Sequence, residues 1–379
     1  MKVLFITYYY DPYPGVGAKR ISYWAQNLNQ CAADMEVSVI TATEGAKSSH
    51  GVTAYYVEDK KTGIWKYFLA SPNGASWGYH LKKWLQKNTL NYDVIIFTGG
   101  PFLQFMIASW LKKKTSAKII FDFRDPFADN PGFGKTIPRK IKNVFLSFIE
   151  QGFVKCADLI ISVNPWCLSL IHGIKNKKTL LIDNGFDEHI VDEVITNQCK
   201  LLPDTKKIRF VYAGKFYYTA PTVFFDVINH SEYLRENIEV VYVGDENHWL
   251  EPYRDTKWLI ELGRKSYKDT LNIISCCDYG LLFPIGHPFQ STTKIFDYMA
   301  MGVRILAISD IVPEDGVLVA YLRQYFNGNY IENTQEQIAV FLAAISKKNI
   351  EDAAFPIEKY SRKKGLELLI AALRDLMLR

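Results

Sequence analysis

Short apolar segments alternate with longer segments of helical periodicity along most of the chain. In stretches such as 18–29 and 102–113, apolar residues recur every three or four positions, as on one face of a helix. Short strands that are apolar on both faces and separated by helices are typical of a parallel sheet with both sides covered. In the first half, strands are predicted at 3–8, 37–41, 94–98, 118–123, 159–163 and 179–182.

The same alternation restarts near residue 206. The segment KKIRFVYAGKFYY (206–218) resembles the first strand of the chain, and further strands are predicted at 239–243, 258–262, 279–283 and 303–307. The polar stretch DEVITNQCKLLPDTKK between the halves is typical of a linker. We therefore predict an α/β protein with two tandem Rossmann-like, doubly wound domains at 1–200 and 201–360. Ligands of such sheets bind beyond the carboxyl ends of the strands, so the cleft between the domains is the expected site.

The composition is that of a soluble globular protein. With 379 residues, the chain is too long for one ordinary core. Hydrophobic residues make up 48% of it and charged residues 22%. No uncharged apolar run reaches the roughly 18 residues that span a bilayer, and the start MKVLFITYYY favours a first strand over a signal peptide. Six cysteines without a C-x-x-C pair, and seven histidines without ligand spacing, favour the cytoplasm and no bound metal. The net charge of +5 is too mild to indicate a nucleic-acid partner.

Two segments at the ends of first-half strands carry candidate ligand-binding residues. Gly15 and Gly17 precede a predicted helix, where small residues let an anion approach exposed backbone amides; a turn without a ligand is the alternative. The segment IIFDFRDPF ends a buried strand with Arg124 and Asp125, at the edge where ligands bind. Pairing of Arg124 with Asp122 or Asp125 is the structural alternative.

The second half opens with a similar signal. Gly214 lets the chain leave its strand tightly, and Lys215 follows it directly. A lysine at this point can reach a diphosphate as a point charge, or it can simply be solvated.

The segment STTKIFDYMAMGVRILAIS places hydroxyls, a cation and an acid at the start of one helix. Thr292 or Thr293 is expected to cap this helix. Lys294 then lies in the first turn, where a cation opposes the helix dipole, as is expected at an anion site. Asp297 is predicted to face away from the core, where a carboxylate can accept ribose hydroxyls. An acid that simply stabilises the helix start is the alternative.

Basic residues concentrate in the first half, notably in the segment IPRKIKNVFLSFIEQGF. It combines Arg139, Lys140 and Lys142 with Phe145 and Phe148. A basic amphipathic helix can lie on an anionic membrane surface, whereas the alternative is a solvated face of a packing helix.

Taken together, these motifs resemble the retaining glycosyltransferases of the GT-B fold, in particular the large family 4. The similarity covers nearly the whole chain in order. MKVLFITYYYDPYPGVGAKR resembles the family's first strand and glycine loop, FDFRDPF its D-x-R-D-P-W variant in surface-polysaccharide members, and CADLIISVNPW…LLIDNGFD the passage that closes the first domain. FVYAGKF resembles the strand that opens the second domain. TTKIFDYMAMGVRILAI is similar to K-x-x-E-Y-M-A-x-G-x-P-V-x-A, the most specific match.

The resemblance implies a role for each matching residue. Arg124 and Asp125 would lie near the sugar or the acceptor, and with Lys294 they are the predicted catalytic residues. The predicted donor-binding residues, which would hold the phosphates, the sugar and, through Asp297, the ribose, are Gly15, Gly17, Gly214, Lys215, Thr292, Thr293 and Asp297.

The resemblance also implies a function. The implied function is the enzymatic transfer of a sugar from a nucleotide-sugar donor to a glycan or lipid-linked acceptor in bacterial surface polysaccharide synthesis. Retention is expected, without a metal or other cofactor, in the cytoplasm or at the inner face of the membrane. A final segment, 361–379, would form a helix that packs back across the domains. A nucleotide-sugar epimerase or hydrolase on the same fold, or a non-catalytic scaffold, remains open.

Three positions depart from the family pattern. Phe289 stands eight residues before Asp297, where the family has an acid that contacts the donor sugar. The run YYTA replaces a second basic residue after Lys215, and Arg304 replaces the usual proline.

Overall fold

The described residues form two compact units. The computed structural model describes residues 1–60, 77–88, 91–130, 137–197, 201–216, 220–325, 328–345 and 356–378. The first unit comprises Met1–Gly185 together with Arg362–Arg379, and the second comprises Phe186–Ser361. Of the predicted interdomain stretch, 198–200 lie outside the described residues.

Each unit contains one parallel sheet. In the first unit the spatial order is β3-β2-β1-β4-β5-β6-β7, and in the second it is β10-β9-β8-β11-β12-β13, with parallel pairing throughout the described strands. The strands are β1 (Lys2–Thr7), β2 (Glu36–Thr41), β3 (Val52–Tyr56), β4 (Val94–Thr98), β5 (Lys118–Phe123), β6 (Leu159–Ser162), β7 (Thr179–Leu181), β8 (Ile208–Ala213), β9 (Ile238–Val243), β10 (Leu259–Glu261), β11 (Tyr279–Leu282), β12 (Arg304–Ser309) and β13 (Gly328–Glu332).

Helices connect the strands and cover the sheets. They are α1 (Val16–Cys31), α2 (Trp77–Lys87), α3 (Ala108–Lys114), α4 (Ile137–Val154), α5 (Pro165–Ser169), α6 (Glu188–Asn197), α7 (Thr222–His230), α8 (Glu232–Asn237), α9 (Tyr267–Ser275), α10 (Lys294–Ala300), α11 (Val317–Gln324), α12 (Gln335–Ala344) and α13 (Arg362–Met377), with short 3₁₀ segments at Leu103–Ile107, His248–Tyr253 and Ile357–Tyr360. Among the described residues, no helix combines the length and the apolar character needed to cross a membrane.

The core of the first unit lies on both faces of its sheet. Along β1, Val3 and Phe5 join one buried cluster, whereas Leu4 and Ile6 join the cluster on the opposite face. This is why β1 is apolar at consecutive positions instead of alternating.

The boundary between the units differs from the predicted one at residue 200. Residues 186–197 belong to the second unit because α6 packs against α9 there. The final helix, α13, belongs to the first unit. The core cluster that contains Trp24 of α1 includes buried apolar residues of α13. They are Leu366, Leu369, Ile370, Leu373 and Leu376.

Candidate functional site

The second sheet has its topological switch point between β8 and β11. From β8 the strand order runs outward through β9 to β10, and from β11 it runs the other way through β12 to β13. The loops that follow β8 and β11 therefore separate at their carboxyl ends and leave a crevice where ligands bind in open α/β sheets. Gly214 and Lys215 follow β8 directly, and α10 follows β11 after one loop.

Helix α10 is anchored over this switch point by Tyr298. Its hydroxyl donates to the carbonyl oxygens of Val211 in β8 (3.3 Å) and Leu281 in β11 (3.1 Å). The ring lies directly on β11, because a Cβ at Gly280 would be only 2.4 Å from it. Because Tyr298 fixes the helix on both strands, the residues of its first turn have a defined position at the strand ends.

Lys294, the first residue of α10, lies against the end of β8. A Cβ at Gly214 would be 3.1 Å from Lys294 Cε and 3.4 Å from its Nζ, so a side chain at position 214 would crowd the lysine. Gly214 also has a φ of +112°, which disfavours any other residue. The ammonium lies 4.9 Å from the centroid of the Tyr212 ring, and burial lowers the pKa of Lys294 to about 8, with Asp297 opposing the shift. The helix start thus holds a partly desolvated cation.

Lys215 lies on the neighbouring side of the same crevice. Its Nζ is 3.7 Å from Asp245 Oδ2, at the end of β9, and the side chain is 55% exposed. Arg264 binds the same carboxylate, with Nε 2.9 Å and Nη2 2.7 Å from its two oxygens. Pairs this exposed are weak, so Lys215 can leave Asp245 at little cost to meet an anion.

Asp297 lies one turn beyond Lys294 and is half-buried. Its Oδ1 accepts a hydrogen bond from the hydroxyl of Tyr267, the first residue of α9, at 2.5 Å. Seven residues thus lie in two contacting groups near the carboxyl edge of this sheet. One group is Lys215, Asp245 and Arg264, and the other comprises the Tyr267–Asp297 pair and Lys294 beside Gly214. Three of these residues are cations and two are acids.

The two threonines before α10 form its first turns. Their carbonyl oxygens accept from Ile295 N (3.3 Å, Thr292) and Phe296 N (3.2 Å, Thr293). Thr293 occupies the N-cap position with helical backbone angles (φ −64°, ψ −24°) and makes no side-chain capping bond. The predicted N-cap position is thus confirmed for Thr293, but its side chain does not cap the helix, because a capping side chain requires an extended backbone at that position. Phe289 is buried and stacks on His287, with ring centroids 5.8 Å apart.

In the first unit, tyrosine rings fill the space beside Gly15 and Gly17. A Cβ at Gly15 would lie 2.3 Å from the Tyr13 ring, and one at Gly17 would lie 3.0 Å from the Tyr9 ring. The two rings stack at 4.4 Å. Helix α1 begins at Val16, with Gly15 as its N-cap residue. The glycines thus permit a close approach, as the sequence indicates, but in this structure the approaching groups are aromatic side chains of the same loop.

Arg124 and Asp125 differ in their surroundings although they are adjacent. Arg124 is half-buried and donates to two carbonyl oxygens, of Gly17 (Nη1, 2.7 Å) and of Gly99 (Nη2, 3.1 Å). It therefore joins the start of α1 to the loop after β4. Asp125 is exposed at the carboxyl end of β5.

A buried ion pair that the sequence did not predict lies close to these residues. Arg20 Nη2 lies 2.9 Å from Asp122 Oδ1, and the two side chains are 2% and 0% exposed. The other oxygen of Asp122 accepts from Thr98 Oγ1 at 2.9 Å, and Arg20 Nη1 donates to Ile182 O at 2.7 Å. Burial lowers the pKa of Arg20, with Asp122 opposing the shift. An acid inside an otherwise apolar strand was the available signal, since a buried charge needs a partner.

Comparison with solved structures identifies the fold. HepE from Anabaena, solved with UDP and glucose, superposes with a TM-score of 0.65 at 13% identity, over 99% of this chain and 99% of its own. Trehalose-6-phosphate synthase OtsA gives a TM-score of 0.68 at 11% identity, over 99% of both chains. A proposed UDP-N-acetylglucosamine 2-epimerase from Listeria monocytogenes gives 0.60 at 11% identity, over 99% of this chain and 96% of its own. The sequence matches no protein-family model and no curated protein. The chain has the GT-B fold, with two Rossmann-like units.

Proposed function

We propose that the protein is a glycosyltransferase that moves a sugar from a nucleotide-sugar donor to a glycan or lipid-linked acceptor. The observation that carries the proposal is the position of Lys294: a partly desolvated ammonium lies against Gly214 at the switch point, with Asp297 one turn beyond it. A diphosphate bound beside Lys294 would place its ribose toward Asp297. The likeness to HepE, which has been solved in complex with UDP-glucose, supports this assignment.

In the proposed reaction the chain acts through charge and position. Lys294, with Lys215 released from Asp245, neutralises the charge that develops on the leaving diphosphate, and no metal is needed for this step. The bond from the anomeric carbon to the leaving phosphate oxygen breaks as the acceptor oxygen bonds to that carbon. The acceptor proton passes to the leaving phosphate oxygen, and the sugar is transferred with retention. Asp125, exposed at the end of β5, is a candidate for contact with the sugar or acceptor.

A nucleotide-sugar epimerase or hydrolase is the second candidate, since a proposed epimerase shares the fold. Product analysis separates the two. The purified protein is incubated with UDP-, GDP-, CMP- and dTDP-sugars, with and without a membrane extract as the source of acceptor. We expect one donor to be consumed rapidly only when the extract is present, with its sugar recovered on the acceptor. Rapid epimerisation or hydrolysis of the donor alone would contradict a transferase.

The surface of α4 favours an acceptor that is held at a membrane. Ile141, Val144, Phe145 and Phe148 are 71%, 58%, 61% and 67% exposed, and their spacing places them on one face of the helix. The only acid of the helix, Glu150, is buried, and burial raises its pKa to about 8, so it adds little negative charge at neutral pH. The side chains of Arg139, Lys140 and Lys142 lie outside the described residues.

The double variant Phe145→Ser/Phe148→Ser is expected to reduce binding to anionic vesicles. Burying each phenylalanine in the interface is worth about 1.5 to 3 kcal/mol, so the partition coefficient should fall by about 100-fold or more. Co-sedimentation with phosphatidylglycerol vesicles measures the effect, and Tyr233→Ser, at a 69% exposed position of α8, is the matched control. If the double variant sediments like the wild type, or if the wild type stays in the supernatant, α4 does not bind the membrane.

A further inference from the structure

The hydrogen bond between Tyr267 and Asp297 joins two helices of the second unit. The phenol donates to a carboxylate oxygen at 2.5 Å, and both side chains are half-buried. Hydrogen bonds to an ionised acceptor are shorter and stronger than neutral ones. The contact connects the first residue of α9 to the first turn of α10, thirty positions apart in the sequence.

The backbone of Tyr267 is fixed on both sides. Ser266 caps α9, accepting from Asp269 N at 3.1 Å, and its carbonyl oxygen accepts from Thr270 Oγ1 at 2.7 Å. Arg264, three residues before Tyr267, makes the two-pronged contact with Asp245 at the end of β9. The phenol therefore approaches Asp297 from a capped helix start, and the loop just before it contacts the end of β9 through Arg264.

Asp297 lies in the first turn of α10, which has only seven residues. An aspartate at a helix start can rotate about two side-chain bonds, and each freely rotating bond lowers the precision with which the carboxylate meets a ligand. A hydrogen bond to Oδ1 fixes the plane of the carboxylate. The carboxylate is then directed before any nucleotide arrives, which reduces the entropy lost on binding.

We infer that Tyr267 is a positioning residue that orients the Asp297 carboxylate toward the donor ribose and thereby makes the site selective for ribonucleotides over 2′-deoxyribonucleotides. The inference rests on the proposed function, in which Asp297 receives the ribose. A 2′-deoxy analogue offers one hydroxyl donor fewer to a carboxylate whose orientation Tyr267 has set, so one hydrogen bond to a charged group is lost. Discrimination through such a loss is far stronger than discrimination through shape.

Calorimetric titration of the full chain tests the inference. The probes are UDP, GDP, ADP and CDP, each paired with its 2′-deoxy analogue. The wild type is expected to bind at least one ribonucleotide about tenfold or more tightly than its deoxy analogue, as for the loss of a hydrogen bond to a charged group. In Tyr267→Phe, affinity for the deoxy analogue should be retained while the preference for the ribonucleotide falls to about twofold or less.

Two controls separate positioning from a general structural role. Tyr233→Phe removes a hydroxyl from an exposed tyrosine of the same unit and should keep the wild-type preference. In the Asp297→Ala background, Tyr267→Phe should have no further effect on the preference, because the tyrosine acts through the carboxylate. Equal loss of affinity for both members of a pair in Tyr267→Phe would assign the tyrosine a structural role and overturn the inference.

Three further outcomes separate the inference about Tyr267 from the proposed function. A wild type that binds a nucleotide and its deoxy analogue equally well would overturn the inference while leaving nucleotide binding intact. A preference that persists in Tyr267→Phe would do the same. If the wild type binds none of the eight nucleotides, the inference is wrong. If it binds neither CMP nor dTDP as well, the proposed function is also wrong.

Discussion

Replacing Lys294 with methionine is expected to lower the affinity for the donor nucleotide, and the rate of sugar transfer, by about 100-fold or more. The ammonium lies beside Gly214 at the switch point, where partial burial strengthens its interaction with a diphosphate. Methionine keeps most of the aliphatic chain that packs there and removes only the charge. Calorimetry and an assay of transferred sugar measure the two effects.

The fold should tolerate this change. The pKa of Lys294 is about 8 in the folded protein, below the ordinary value of 10.5. The folded state therefore disfavours the charged form, and the contribution of Lys294 to stability rises as the pH increases from about 8 toward 10.5. At neutral pH the ammonium opposes folding, so Lys294→Met should melt at the same temperature as the wild type or higher.

The same pKa predicts a pH dependence of binding. As the pH rises through about 8, the free protein loses the cation that meets the diphosphate, and affinity should fall by up to about tenfold per pH unit. Lys294→Arg, whose guanidinium stays charged, should show a flatter profile. Lys257→Met, at an exposed position of the same unit, is the matched control and should bind like the wild type. Full transfer activity in Lys294→Met would exclude the proposed role.

Replacing Arg20 with methionine should destabilise the first unit by about 3 to 5 kcal/mol, because Asp122 would be left as a buried charge without its partner. Arg20 contacts Asp122 of β5 and the carbonyl oxygen of Ile182 just beyond β7, while lying 4.2 Å from the Trp24 ring in its own helix. One side chain therefore ties α1 to two strand ends. Hydrogen exchange of the β1 and β5 amides, read by mass spectrometry, measures the stability of this unit.

The double variant Arg20→Met/Asp122→Leu provides the internal control. Removing both charges should recover much of the loss, since an apolar pair can replace a buried ion pair at little net cost. Arg374→Met, which removes an exposed ion pair with Asp34, should leave the free energy of unfolding essentially unchanged. A loss below about 1 kcal/mol in Arg20→Met would mean that Asp122 is relieved by another route.

The fold could be predicted because its strong signals are hydrophobic. The central strands are buried on both faces, so β4 and β5 were predicted at their observed bounds. The sequence did not predict β3 and β13, which lie at sheet edges and are only partly buried, with weak alternation. The unit boundary also escaped prediction, since the packing of α6 on α9 is a long-range contact that no local pattern encodes.

The candidate site was predictable where a residue lies directly after a strand or at a helix start. That is the case for Gly214, Lys215, Lys294 and Asp297, whose spacing the pattern and the family resemblance both supplied. The residues that contact them could not be predicted in the same way. The bond from Tyr267 to Asp297 and the placement of Asp245 between Lys215 and Arg264 depend on neighbouring strands and loops meeting at one sheet edge.

A crystal structure of the protein with its nucleoside diphosphate would show whether the donor binds at the switch point of the second sheet. We expect phosphate oxygens within hydrogen-bond distance of Lys294 Nζ, beside Gly214, with the ribose hydroxyls on the Asp297 carboxylate. A nucleotide that binds away from the carboxyl ends of β8 and β11, or one whose phosphates contact neither Lys294 nor Lys215, would contradict it.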